Sequence, residues 1–236
     1  MNQPLYWVKA NRLAEEFPQT EEALTEPDGL LAAGGDLSTT RLIDAYRNGI
    51  FPWYSDGQPI LWWTPDPRSV LYPQRLHVSR SLRKTLRQDP YEITIDGAFD
   101  AVVRGCAAPR RDESGTWITD AMREAYNALH TAGYAHSVEC WAAGRLVGGL
   151  YGVAIGCVFF GESMFSAATD ASKVAMVNLV ERLTEWGYRL IDCQIHNPHL
   201  ESLGAEKIPR AEFNDRIRRY CATAPGNGAW SHGSIA

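Results

Sequence analysis

Three observations predict an α+β fold with a mixed central sheet. Residues 135–141, 145–154 and 157–165 are strand-like runs joined by short glycine-containing turns, which makes antiparallel hairpins. Residues 170–186 and 188–195 then read as a helix and a strand, so a strand–helix–strand unit follows the hairpins. Thr64-Pro65-Asp66-Pro67 reads as a linker, because each X-Pro pair favours extended backbone. It divides a turn-rich part, 1–66, expected as a small N-terminal α/β domain, from a larger domain, 67–236.

The elements can be justified in order. Pro27-Asp28-Gly29 and Ala33-Gly34-Gly35-Asp36 break the chain, and Ser38 or Thr39 caps a helix that ends near Gly49. Phe51, Trp53, Tyr54, Trp62 and Trp63 crowd around Pro52 and Pro59. Past the linker, Ser79 caps a helix through Arg87, Tyr91 to Ile95 forms a short strand, and Asp96 to Cys106 a second helix. Thr119 caps a helix with Met122, Tyr126 and Leu129 on one face, ended by Gly133. After the hairpins, Met176, Leu179, Val180, Leu183 and Trp186 form a stripe of period 3.6 closed by Gly187. Phe213, Ile217 and Tyr220 mark a last helix.

Composition bounds the class. A chain of 236 residues, 45% hydrophobic and 22% charged, is long enough to bury a sizeable core. The long uncharged and apolar stretch Leu146 to Gly161 is glycine-broken and short for a membrane span, so a buried hairpin is expected and no membrane partner. No basic-then-apolar leader opens the sequence. Cysteines 106, 140, 157, 193 and 221 make no CxxC, which points to reduced thiols in the cytosol and no zinc site. A net charge of −5 does not suggest a nucleic-acid binder. Locally, however, Arg80, Arg83, Lys84 and Arg87 fall on one helical face, either a solvated surface or a phosphate contact. Walker A, GxGxxG and GxSxG motifs are absent, so nucleotide folds and a hydrolase elbow have no support.

Two segments carry the chemistry. On the strand around Asp192, Ile191, Cys193 and Ile195 share an apolar face expected as core, while Asp192 and Gln194 point the other way and need partners if buried. Cys193 thereby reads as a core thiol rather than a nucleophile. Glu162 ends an apolar strand, where a lone carboxylate needs a cation or a donor. That partner is either one of the chain's arginines or a basic substrate group.

Several ordered blocks resemble the leucyl/phenylalanyl-tRNA–protein transferases. They are Gly29-Leu30-Leu31-Ala32-Ala33-Gly34-Gly35-Asp36-Leu37, Gly49-Ile50-Phe51-Pro52-Trp53, and Ile60-Leu61-Trp62-Trp63-Thr64-Pro65-Asp66-Pro67-Arg68. Further blocks are Gly115-Thr116-Trp117-Ile118-Thr119, His136-Ser137-Val138-Glu139, Gly161-Glu162-Ser163-Met164-Phe165, Asp170-Ala171-Ser172-Lys173 and Leu190-Ile191-Asp192-Cys193-Gln194. The resemblance implies a small N-terminal domain joined to a GNAT-like acyltransferase domain. It implies transfer of Leu or Phe, less often Met, from aminoacyl-tRNA to proteins or peptides with N-terminal Arg or Lys, a bacterial degradation signal. Because the donor is an activated ester, no cofactor, ATP or metal is expected, and a cytoplasmic monomer is.

By position, the resemblance implies that Asp192 and Gln194 are the catalytic pair and that Glu162 recognises the acceptor. Trp53 and Trp117 would hold the terminal adenosine, with Tyr46 and Tyr126 as neighbours. Phe159, Met176, Leu179, Leu183 and Ile191 would form the donor side-chain pocket, and Arg80, Arg83, Lys84 and Arg87 the tRNA contact. Ile191 belongs to the apolar face, which a bend at the strand end would reconcile with a place in the pocket. Two departures stand out: Ala167 where members often carry Arg, and Leu150 where some carry Met. Two rivals stay open at this point, a tRNA-dependent transferase acting on a peptidoglycan precursor and a non-catalytic module binding basic N-termini.

Overall fold

The computed structural model describes residues 5–10, 17–108 and 118–230. The first part holds β1 (Tyr6–Val8), β2 (Leu30–Gly34), α1 (Thr39–Arg47), β3 (Phe51–Pro52) and β4 (Leu61–Trp63). Its four strands form one sheet in the order β1-β2-β4-β3, with only β1 and β2 parallel. Ser38 caps α1 by accepting from the Arg41 N–H, as the sequence requires.

The remainder contains β5 (Arg68–Leu71), α2 (Arg80–Gln88), β6 (Glu92–Ile95), α3 (Phe99–Ala107), α4 (Asp120–Thr131), β7 (Ala135–Ala142) and β8 (Arg145–Ile155). It continues with β9 (Val158–Ser166), α5 (Ala171–Glu185), β10 (Leu190–Gln194), α6 (Pro198–Ser202), β11 (Glu206–Ile208) and α7 (Arg210–Tyr220). Seven strands pair in the order β11-β5-β10-β9-β8-β7-β6. All neighbours are antiparallel except β9 and β10, the pair that α5 connects. The α+β reading with a mixed sheet therefore holds. The helix expected from Asp96 starts later, at Phe99, because Asp96 has a positive φ of 57° and its carboxylate accepts from the Ser137 N–H.

Strand parity sorts the apolar residues into two layers. On one face, Tyr151, Val153, Ile155, Val158, Phe160, Leu190 and Val70 pack with α3, α4, α7 and the first part's Tyr46, Phe51 and Trp62. On the other, Leu150, Phe159, Ile191 and Leu71 pack with the stripe of α5, including Met176, Leu179 and Leu183. The first cluster runs without a break from the four-stranded sheet into the seven-stranded one. The segment at 64–67 is stitched down accordingly. Thr64 is buried, its N–H donates to the Gly29 carbonyl, and its carbonyl accepts from Arg210 Nη1 at 2.7 Å.

Candidate active site

The parallel pair is short. Its register runs from Leu190 opposite Val158 to Asp192 opposite Phe160, and there β10 leaves the ladder while β9 continues to Ser166. Gln194 takes a left-handed φ of 58° at a register shift against β5, a conformation uncommon outside glycine. Strict alternation ends at that kink. The expectation that Ile195 joins the core is overturned: it is 44% exposed. Where the strands part, at their carboxyl ends, a cavity of about 1270 Å³ opens, the usual place for a site beside parallel strands.

Residues from both faces of the sheet line this cavity. Leu150, Phe159, Met176, Leu179 and Ile191 form an apolar wall, and Glu162, Asp192, Cys193 and Gln194 lie beside it. The split between the strands thus brings Ile191 and the acid-bearing face to one space. Leu183 is buried behind this wall in the same apolar cluster and does not reach the cavity. Trp53, 39% exposed, stands at the rim and packs against Trp63 at 5.6 Å. Trp117 lies outside the described residues.

Glu162 is half-buried, and its carboxylate is held from behind by three donors. Tyr46 OH donates to Oε1 at 2.8 Å, Tyr126 OH to Oε2 at 2.6 Å, and Gln194 Nε2 to Oε1 at 2.7 Å. Burial pushes the Glu162 pKa up to about 7, against the lowering effect of those donors. Desolvation, and then the Glu162 charge, hold both tyrosines well above the usual phenol range, so they remain donors. Neither tyrosine lines the cavity; both are fully buried. Among the described residues, the partners of Glu162 are therefore a tyrosine pair and an amide, not an arginine.

Asp192 does have an arginine. Arg68 Nε donates to Oδ1 at 2.9 Å and Arg68 Nη2 to Oδ2 at 2.7 Å, with neither side chain exposed. Asp192 Oδ1 also accepts the Gln194 backbone N–H at 2.9 Å. Sequence reasoning required a partner for Asp192 but missed Arg68, which lies 124 residues away. Cys193 departs from the core expectation in that it is half-buried and lines the cavity, but burial raises its thiol pKa far above a reactive range. On α2, Arg80, Arg83, Lys84 and Arg87 are all exposed, with no ion pair to another described residue.

A family model described as leucyl/phenylalanyl-tRNA protein transferase matches residues 70–218, and its N-terminal domain model matches residues 35–66. The leucyl/phenylalanyl-tRNA–protein transferase of Stutzerimonas stutzeri (strain A1501) is 62% identical over 216 residues, covering 92% of this chain and 95% of the relative. That of Nitrosomonas europaea is 59% identical over 214 residues, covering 91% of each chain. That of Ectopseudomonas mendocina is 58% identical over 226 residues, covering 96% and 99%. Among solved structures, L-PGS from Bacillus licheniformis matches with a TM-score of 0.40 and 11% identity, covering 71% of this chain and 53% of that one. A GCN5-related N-acetyltransferase-like protein from Streptococcus suis matches with a TM-score of 0.36 and 13% identity, covering 72% and 64%. Likenesses that slight carry no argument; the sequence relatives do, and the chain belongs to the leucyl/phenylalanyl-tRNA–protein transferase family of aminoacyltransferases.

Proposed function

We propose that the chain moves a leucyl or phenylalanyl group, less often methionyl, from aminoacyl-tRNA to the N-terminal α-amine of proteins or peptides beginning with Arg or Lys. In a bacterial cytoplasm this marks the acceptor for degradation. The observation that carries the reading is one cavity in which an apolar wall meets the Glu162 carboxylate. The wall suits a greasy donor side chain, and the carboxylate suits the cationic side chain of the acceptor. A one-methylene difference in such a wall is worth only about 1–3 kcal/mol, so mixed use of Leu, Phe and Met follows.

The nucleophile is the acceptor amine, with a pKa of roughly 8, so about a tenth is neutral at pH 7. It attacks the ester carbonyl, the C–N bond forms, the ester C–O bond to the terminal ribose breaks, and one amine proton ends on the departing ribose oxygen, which leaves as a hydroxyl. Fixing the two reactants together supplies about 7–11 kcal/mol of the barrier. Gln194 gives its amide N–H to Glu162, which leaves its carbonyl oxygen to accept an N–H of the amine. Asp192 fixes Gln194 through its backbone. Tyr46 and Tyr126 hold Glu162 from behind, and Leu183 backs the pocket wall. Trp53, with Trp117, stacks on the terminal adenosine, and Arg80, Arg83, Lys84 and Arg87 meet tRNA phosphates. The activated ester makes ATP, metal or another cofactor unnecessary, and the enzyme acts as a monomer. Residues 1–66 and 67–236 serve as two domains on a shared core.

Mass spectrometry of an Arg-initiated peptide incubated with the protein and charged Leu-tRNA tests the reading. The expected gain is one leucyl residue at the N-terminus, absent with an Ala-initiated peptide. No gain while tRNA still binds would overturn it, in favour of a muropeptide lysine acceptor or a binding module.

A further inference from the structure

We propose that Arg68 is a positioning residue for the transfer step. It holds the Asp192 carboxylate as a fixed acceptor for the Gln194 backbone and so sets where the Gln194 amide meets the acceptor amine. The proposal rests on the transferase reading and adds a residue to it. Arg68 touches no wall of the cavity. It is buried, grips both Asp192 oxygens, and contacts two rings, with its guanidinium carbon 4.8 Å from the Phe51 centroid and 4.6 Å from the Phe213 centroid. One ring comes from β3 and the other from α7, so cation–π contacts from two separate elements hold the guanidinium.

What Asp192 does with that fixed charge is local. Its Oδ1 accepts from Arg68 Nε and from the Gln194 N–H, and that second bond closes over the left-handed residue. Gln194 holds a conformation that persists only where neighbours over-determine it. Here the neighbours form a single line, Arg68 to Asp192 to the Gln194 backbone, and onward from the Gln194 side chain to Glu162. A carboxylate neutralised by a bidentate guanidinium, with no exposure to solvent, is an anchor rather than a proton acceptor.

The test uses the full chain with Arg68→Met, Asp192→Asn, the double variant and Arg68→Lys. It reads kcat, KM for an Arg-initiated peptide, and hydrogen-exchange protection of the Gln194 amide. Arg68→Met should lower kcat by about 10²-fold, the loss a misplacement of about 1 Å produces, with KM little changed and the Gln194 amide deprotected. The double variant should regain most of both. Its carboxamide oxygen at position 192 would still accept the Gln194 N–H, and no charge would be buried unpaired. A double variant no better than Asp192→Asn alone would overturn the proposal and make the carboxylate a proton acceptor. Folded Arg68→Met with full kcat and full protection would also overturn it. If Arg68→Met does not fold, Arg68→Lys decides: kcat should fall with the amide partly deprotected, and wild-type values would overturn the proposal. Wild type that transfers nothing, with the Gln194 amide responding as described, would instead sink the transferase reading and leave only Arg68's hold on the Gln194 backbone standing.

Discussion

The hydroxyls of Tyr46 and Tyr126 meet at 2.6 Å although they belong to separate helices, α1 and α4. Both also contact the Glu162 carboxylate, so three oxygen–oxygen contacts share the available protons. With Glu162 ionised, the two hydroxyl protons serve only two of them. A protonated Glu162 supplies the third. The arrangement therefore accommodates both charge states, in keeping with a carboxyl pushed up to about 7.

Tyr126→Phe keeps the ring and removes one donor to the charged carboxylate. The Glu162 pKa should rise by about one unit or more, since a bond to a charged group is worth about 1.5–3 kcal/mol. The pH profile of KM for an Arg-initiated peptide reads this directly. An unmoved profile would mean that the Tyr126 hydroxyl does not stabilise the anion.

On the proposed pairing of Glu162 with a cationic acceptor side chain, binding should require the ionised form. Below about pH 7 Glu162 gains a proton, so KM for Arg- or Lys-initiated peptides should climb as pH falls. Glu162→Gln should raise KM at neutral pH and flatten that limb. If wild type and the Gln variant show the same dependence, Glu162 is not the cation's partner.

The same shift makes a statement about stability with the opposite sign to that of most carboxylates. The folded pKa, about 7, lies above the reference value of 4.5, so the folded state binds the proton more tightly. That contribution is complete below the unfolded pKa and is lost as pH rises through the folded one. Between about pH 4.5 and 7 the stability of wild type should decline relative to Glu162→Gln. Going from pH 5 to pH 8, wild type should lose about 2 kcal/mol relative to the variant, reduced from the full shift because part of the residue meets solvent. Denaturant melts at pH 5 and pH 8 check it; an equal gap at both would contradict the shift.

Leu179 lies in the apolar wall and is buried. Leu179→Ala should cost about 2–5 kcal/mol of stability and leave a deeper pocket. Donor preference should move from Leu toward Phe by about 10-fold or more, measured as the ratio of kcat/KM for the two charged tRNAs. No change in that ratio in a folded variant would place the donor elsewhere.

Neutralising Arg83 and Arg87 on α2 should weaken tRNA binding without changing kcat. The slope of log Kd against log salt should become shallower by about 0.9 for each phosphate no longer neutralised. A flat salt response in wild type would remove α2 from the interface.

What the sequence made legible was local. Ser38, Ser79 and Thr119 cap the helices expected of them, and Gly133 and Gly187 close theirs with φ near 80°. The hairpins fall where their turns put them, because period and turn chemistry need only neighbouring residues. The site was legible as a need. Asp192 and Glu162 had to have partners, but Arg68 and Tyr46 lie 124 and 116 residues away along the chain, and no periodicity reaches that far. The exposure of Ile195 was missed for a different reason. Alternation assumes an unbroken strand, and Gln194 breaks it with one positive φ.

Tyr46 comes from the first part of the chain, whereas Glu162, Tyr126 and Gln194 come from the second. One of the three donors that clamp the acid is therefore in place only when the two sheets have closed on their shared core. A chain whose halves have not docked would carry every residue of the second part yet hold Glu162 by Tyr126 and Gln194 alone. The complete hold on Glu162 thus depends on contact between the two parts, and a first part lacking the residue 46 hydroxyl would remove one of its donors.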